Sequence, residues 1–362
     1  MISVKEHIIS IIKIIVFIVT TFVMCFCLNG YFIPMLGSDT VIISGFYGEK
    51  NNSLDMVYIG GSACFVYYQP FKTYNDYGFT SYNFGANTIQ AEFYKYMIDE
   101  VLKEQSPDLI VLDARAFQYR DKDQPPTDVA YRNVLTGMPL NINKAKFIER
   151  YVRSKLGEND TLSYYFSFIR FHSAPSYERY SLSEGIKMIT GNYKHVFKGQ
   201  MLVPRIEKQE YIDYKTEEEK VMEDDTVKIL DELLEYLKTK NIKVLFVVSP
   251  YIEEKEHKKV FNYVERRVKE AGFDFIDAND YKDEMNIDYD IDFYNSSHMN
   301  VYGSDKYTDF LNKYISDNYK LKDHRNDAEY NDWNQQLEVW KENKQSVYEI
   351  MEEAMELEND GV

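Results

Sequence analysis

Residues 55–70 read DMVYIGGSACFVYYQP. A short apolar run, 56–59, meets Gly60-Gly61 and then Ser62. Unbroken apolarity over so few residues is the pattern of a parallel strand buried on both faces, since a strand with one wet face alternates. A serine behind such a strand either caps the next helix or serves as a nucleophile, and the stretch alone admits both. Cys64, two residues on, reads as a small buried hydrophobe.

The same rhythm repeats downstream. A short strand at 81–84 ends at Gly85, and residues 89–104 carry helical spacing through Phe93, Met97, Ile98, Val101 and Leu102. Apolar runs follow at 109–112, 243–250 and 273–277, with helices expected at 216–240, 253–271 and 304–318. Alternating strands and helices predict an α/β fold: a three-layer, flavodoxin-like parallel sheet of order 2-1-3-4-5. The expected divisions are an N-terminal transmembrane anchor at 1–30, a linker at 31–54, an α/β domain at 55–115 and 216–320, a helical insertion at 116–215, and an acidic C-terminal helix at 321–362. In that last helix Trp333, Leu337, Trp340, Val347 and Met351 make one apolar stripe, expected to pack on the domain.

Residues 8–28, IISIIKIIVFIVTTFVMCFCL, hold one charge, Lys13. As a helix they span roughly 31 Å, about one hydrocarbon core. Lys5 and His7 precede the run, so the positive-inside rule puts the N-terminus in the cytoplasm and the bulk of the chain outside. A cleavable signal peptide has a shorter apolar core and small residues at the cut, which MCFCLNGYF does not offer. The chain has 362 residues, a formal charge of −17 and no basic stripe, which argues against nucleic acid as a partner. Its three cysteines leave Cys64 as the one thiol beyond the anchor, so no disulfide framework is expected there. No cofactor or metal is expected either. NIDYDIDFYN spaces Asp288, Asp290 and Asp292 faintly like a calcium loop but lacks its glycine and terminal Glu, and reads as a solvated acidic loop.

Ligands of a doubly wound sheet bind beyond the carboxyl ends of the strands at the switch point, where Ser62 would stand. Two glycines would let the chain turn sharply there, and free N–H groups of a helix starting beside Ser62 would favour an oxyanion. A nucleophilic serine needs a base, and of six histidines only His298 is expected on a loop leading into the last core helix.

The blocks IGGSACFVYYQP, YNFGANTIQAEFYKYMIDEVLKEQSPDLIVLD and DFYNSSHMNVYGSDKYT resemble the SGNH/GDSL-hydrolase superfamily, over roughly 55–115 and 240–335. They are most similar to its membrane-anchored extracellular branch, which includes the D-alanine transfer protein of teichoic acid synthesis and alginate O-acetylation proteins. The resemblance implies Ser62 as nucleophile, His298 as base and Gly85 as an oxyanion-hole donor. The aspartate usual three residues before the histidine is replaced by Asn295, with Asp292 the alternative orienting residue. The Gly-x-Asn-Asp block after the third strand is replaced by Asp113–Arg115, so Asn87 or Arg115 would supply the missing donor; pairing of Arg115 with Asp113 is the structural alternative. The implied activity is a serine acyl-esterase or O-acyltransferase on a cell-wall or exported polysaccharide. The implied partners are the membrane, a glycopolymer and a multi-pass membrane O-acyltransferase. The alternatives are a catalytically weakened accessory protein binding glycan or such a partner, and a purely structural domain with Ser62 as a cap.

Overall fold

The computed structural model describes residues 4–35, 37–118, 127–155, 161–174, 177–211 and 213–359. Five parallel strands, β1 (Met56–Gly60), β2 (Ser81–Gly85), β3 (Leu109–Asp113), β4 (Lys243–Val248) and β5 (Asp274–Asp277), form one sheet in the order 2-1-3-4-5, as expected. Each strand's alternate residues feed different layers. Val57, Ile59, Ile110, Leu112, Val244 and Phe246 join one core, while Met56, Tyr58, Leu109, Val111, Leu245 and Val247 join the other. Both faces are therefore dry, which is why β1, β3 and β4 read as near-continuous apolar runs, whereas β2 also buries Ser81 and Asn83.

Helix α1 (Val4–Tyr31) is long and apolar enough to cross a membrane. The stretch 31–54 is not a bare linker. Helix α2 (Asp39–Phe46) lies within it with Ile42, Ile43 and Phe46 fully buried, and Phe46 stacks on Phe84 of β2 at 4.3 Å. Helix α3 (Ser62–Tyr67) follows β1, and α4 (Pro70–Tyr77) follows it with Pro70 in its first turn. Helix α5 (Tyr94–Glu104) leads to β3.

The insertion lies between β3 and β4. It is helical in pieces from Asp128–Leu135 to Leu182–Ile189, and then irregular to the helix Asp224–Lys238. The glutamate-rich sequence of residues 216–223 predicts that they begin that helix. Instead Lys220 N–H donates to the Lys259 carbonyl, and Glu219 pairs with Arg266 at 2.8 Å, so contacts to the helix Lys255–Glu270 override local propensity. Farther back, Met201 N–H donates to Phe65 O and Glu207 N–H to Phe293 O, so this strap crosses α3 and the histidine-bearing segment. The helical pieces grip the end of α1. Ser167 N–H donates to Asn29 Oδ1 at 2.6 Å, and a Cβ on Gly185 would lie 2.0 Å from the Gly30 carbonyl oxygen.

The tail helix Asn331–Asn359 packs on the domain, as its stripe implied. Trp333 lies 5.3 Å from Phe71 between ring centroids, and Trp340 Nε1 donates to Gln200.

Candidate active site

Ser62 is the first residue of α3, immediately beyond β1 at the point where the sheet's order reverses. Only Gly61 separates the end of β1 from the start of α3, so the chain turns sharply here, and neither glycine has a positive φ. Gly61 is extended (φ −76°, ψ −160°). Gly60 is needed for close packing: a Cβ there would lie 2.7 Å from Asp113 Cβ. Gly85 is the same kind of residue, since its Cβ would lie 2.6 Å from the Gly60 carbonyl oxygen. It stands behind the turn and is not among the residues lining the cleft at Ser62. Cys64 is fully buried, its thiol pushed up by burial, as a packing residue should be.

The histidine arrives on an element invisible in the sequence pattern. Strands β6 (Phe293–Asn295) and β7 (His298–Met299) form a small antiparallel pair whose register sets Asn295 opposite His298. It hands over to the last core helix, Val301–Asn318, where the Asn300 side chain accepts from Tyr302 and Gly303 N–H as the N-cap.

Ser62 Oγ and His298 Nε2 are 2.5 Å apart. His298 Nδ1 lies 3.0 Å from Asn295 Oδ1. That same oxygen accepts the Ser297 backbone N–H at 2.9 Å. An amide nitrogen there would face an N–H donor, so the oxygen is fixed in place and must receive a proton from Nδ1. His298 is thus held as the Nδ1–H tautomer, with Nε2 free to accept from Ser62. The ring stacks on Tyr294 at 5.3 Å.

The amide supplies orientation without charge. Burial, and then the positive field of Arg115, hold the His298 imidazole down at about 4. It is neutral at physiological pH and ready to act as a base, but its protonated form is disfavoured. Asp292 does not relieve this. It is fully buried, its Oδ2 accepts from Lys306 Nζ at 2.7 Å and from Asp288 N–H at 2.6 Å, and it ties down the loop before β6. Asn295, not Asp292, occupies the position on Nδ1, and the acidic loop is solvated only in part.

A cleft of about 20 Å³ opens at Ser62, with Thr88, Ile89, Asp113 and Arg115 among its walls. That is room for about one water or a methyl-sized group. The Ser62 and Ala63 N–H groups lie in the first turn of α3 and have no acceptor within the helix. Arg115 Nη1 donates to the Ser297 carbonyl at 3.2 Å, and its guanidinium lies 4.3 Å from the centre of the Tyr251 ring. Asp113 accepts instead from the Arg115 backbone N–H and from Ser249 Oγ. Asn87 is committed elsewhere: its N–H and its side-chain amide both donate to Asp39 of α2, at 2.6 and 3.1 Å. It anchors a loop, and Arg115 is the better placed donor.

Two residues here were not foreseen. Thr88 is held at φ 54°, where a β-branched residue is strained, on the wall of the cleft. Asp39, 1% exposed, clamps the loop that carries it. Neither has a motif; each acquires its role through a contact between distant segments.

Comparison of the chain with family models, curated proteins and solved structures finds no match.

Proposed function

We propose that this chain is a membrane-anchored, outward-facing acyl-ester enzyme of the SGNH/GDSL type, acting as an esterase or O-acyltransferase on a cell-wall or exported polysaccharide. The observation that carries this reading is the chain Ser62 Oγ–His298 Nε2, His298 Nδ1–Asn295 Oδ1, with both histidine nitrogens assigned. Ser62 Oγ attacks an ester carbonyl while His298 Nε2 takes its proton. The oxyanion is met by first-turn N–H groups of α3 and by the Arg115 guanidinium. Collapse expels the alcohol, which recovers the proton from His298, and leaves an acyl-serine. A glycan hydroxyl or water, deprotonated by His298, then takes the acyl group. The size of the cleft supports a small acyl group such as acetyl, whose methyl it would hold; D-alanyl, the other acyl group the resemblance implies, would need a wider cleft.

The test uses the full chain in detergent with p-nitrophenyl acetate, with and without an oligosaccharide acceptor. Hydrolysis or transfer that falls to background in Ser62→Ala and His298→Ala is expected. Equal turnover by Ser62→Ala contradicts the reading. A second reading, an accessory protein with weakened chemistry, draws support from the uncharged Asn295 and the low basicity of His298. It predicts binding of glycan or of a membrane O-acyltransferase that Ser62→Ala leaves intact, without turnover by the wild type.

A further inference from the structure

Where α1 meets the insertion there is a second cavity, a groove of about 560 Å³. Phe17, Phe22 and Phe26 of α1 form one wall; Leu140, Phe166 and Lys144 contribute to the other. The apolar side chains are not sealed inside the fold: Phe17 is 71% exposed, Phe22 69% and Leu140 59%. Lys144 is the contrast, at 5% exposed. Its ammonium donates to the Met138 carbonyl at 3.1 Å, and no carboxylate lies within ion-pair distance of it among the described residues. Burial and the nearby Arg132 hold Lys144 down at about 7. A buried cation without a counter-ion is costly, and such groups are normally paired.

We infer that this groove binds an anionic membrane phospholipid, one acyl chain lying along the phenylalanines of α1 and the phosphate pairing with Lys144. The inference rests on reading α1 as a membrane span and is independent of the chemistry at Ser62. The α1 wall from Phe17 to Asn29 rises roughly 18 Å, close to the ~15 Å of one leaflet's hydrocarbon. Because that wall belongs to the spanning helix, the groove opens toward acyl chains rather than water. An apolar occupant satisfies the phenylalanines; a zwitterionic head brings a phosphate already balanced by its own ammonium, whereas a net anionic head leaves the phosphate charge for Lys144. The insertion, gripped to α1 through Gly30–Gly185 and Asn29–Ser167, would then seat the domain against the bilayer at a fixed height.

The experiment places the full chain in nanodiscs of equal phosphatidylglycerol and phosphatidylcholine and measures lipid retained after release by native mass spectrometry. One phosphatidylglycerol per chain is expected, preferred over phosphatidylcholine by about tenfold or more, as a charge-assisted hydrogen bond would give. Lys144→Met should abolish the preference and Lys144→Arg keep it. Thr21→Trp, which fills the groove from α1 and leaves Lys144 itself unchanged, should abolish retention. Retention unchanged in Lys144→Met and Thr21→Trp overturns the proposal, as does equal retention of the two lipids or displacement by millimolar inorganic phosphate. Absence of retained lipid overturns it too and leaves the groove to a partner's transmembrane helix. Carbonate extraction separates the premises: release of the chain from membranes overturns the span and the groove together, whereas a chain that stays embedded without retaining lipid overturns the groove alone.

Discussion

Replacing Asn295 by aspartate adds one negative charge beside the ring nitrogen that Asn295 already contacts at 3.0 Å. The new carboxylate keeps both acceptor roles, toward His298 Nδ1 and the Ser297 N–H. Two unit charges ~4 Å apart attract by roughly 4 kcal/mol at an effective dielectric of ~20. Desolvating the carboxylate takes back part of that. An opposite charge at such a distance moves a pKa by about 1–3 units, which lifts His298 from about 4 to roughly 5–7. The acid limb of kcat/KM for acetyl-ester hydrolysis should move upward by that amount, and the plateau at neutral pH should rise roughly ten- to a hundredfold. The gain stays well below the ~10⁴ that separates Asp from Asn in a Ser-His-Asp site, because that loss comes from the wrong tautomer and Ser297 already enforces the right one. The assay is kcat/KM from pH 3.5 to 9 on wild type and variant, with ring-carbon NMR of His298. A gain near 10⁴ would refute the tautomer argument. An unmoved acid limb and unchanged rate would refute the charge argument.

Acid should destabilise the fold in a defined window. His298 and His195 are both held at about 4, His195 by burial first and then Lys198, against an ordinary value near 6.5. Below pH 6.5 the unfolded chain binds protons that the fold does not, so stability falls as pH drops from about 6.5 toward about 4. His195→Asn, whose amide oxygen can accept the Phe197 and Gly199 N–H groups now bonded to Nδ1, should flatten part of the fall in Tm; an identical Tm-against-pH curve would contradict this. Lys306→Met leaves the fully buried Asp292 without its cation and should cost about 3–5 kcal/mol in urea unfolding, and a loss below about 1 kcal/mol would show the pair to be dispensable. Asp39→Ala frees Asn87 and lets Thr88 leave φ 54°, so kcat/KM should fall about tenfold, the scale of the ~1–3 kcal/mol held in such a strained residue, while serine reactivity persists. An unchanged kcat/KM would remove that loop from the site.

The sheet was readable because burial on both faces leaves a strong mark in composition. Strands alternating with helices on both sides of the insertion allow few topologies, and the order 2-1-3-4-5 is the simplest of them. Elements made by distant contacts left no such mark. Helix α2 spans eight residues and owes its place to Phe46 packing on β2, so it read as a linker. Residues 216–223, rich in glutamate, read as helix although their partners lie on the helix Lys255–Glu270. Strands of three and two residues carry no period, so the β6–β7 pair that sets Asn295 against His298 was missed while its residues were named. Ser62 and His298 were legible from their positions at the ends of elements. Asp39 and Thr88 were not, because a clamp across 48 residues of chain has no local signature. The two glycines before Ser62 serve in different ways: Gly60 allows close packing against Asp113, and Gly61 alone joins β1 to α3 without a left-handed φ.

The central claim is that His298, held by Asn295, makes Ser62 a nucleophile. A fluorophosphonate probe reads that property directly, because it bonds only to an activated serine. With the full chain in detergent at pH 7.5 and the adduct mapped by peptide mass spectrometry, one adduct is expected, on Ser62. It should be absent in Ser62→Ala and slowed by at least about a hundredfold in His298→Ala. A wild type that stays unlabelled under conditions that label a known serine esterase, or labelling undiminished in His298→Ala, would contradict the account.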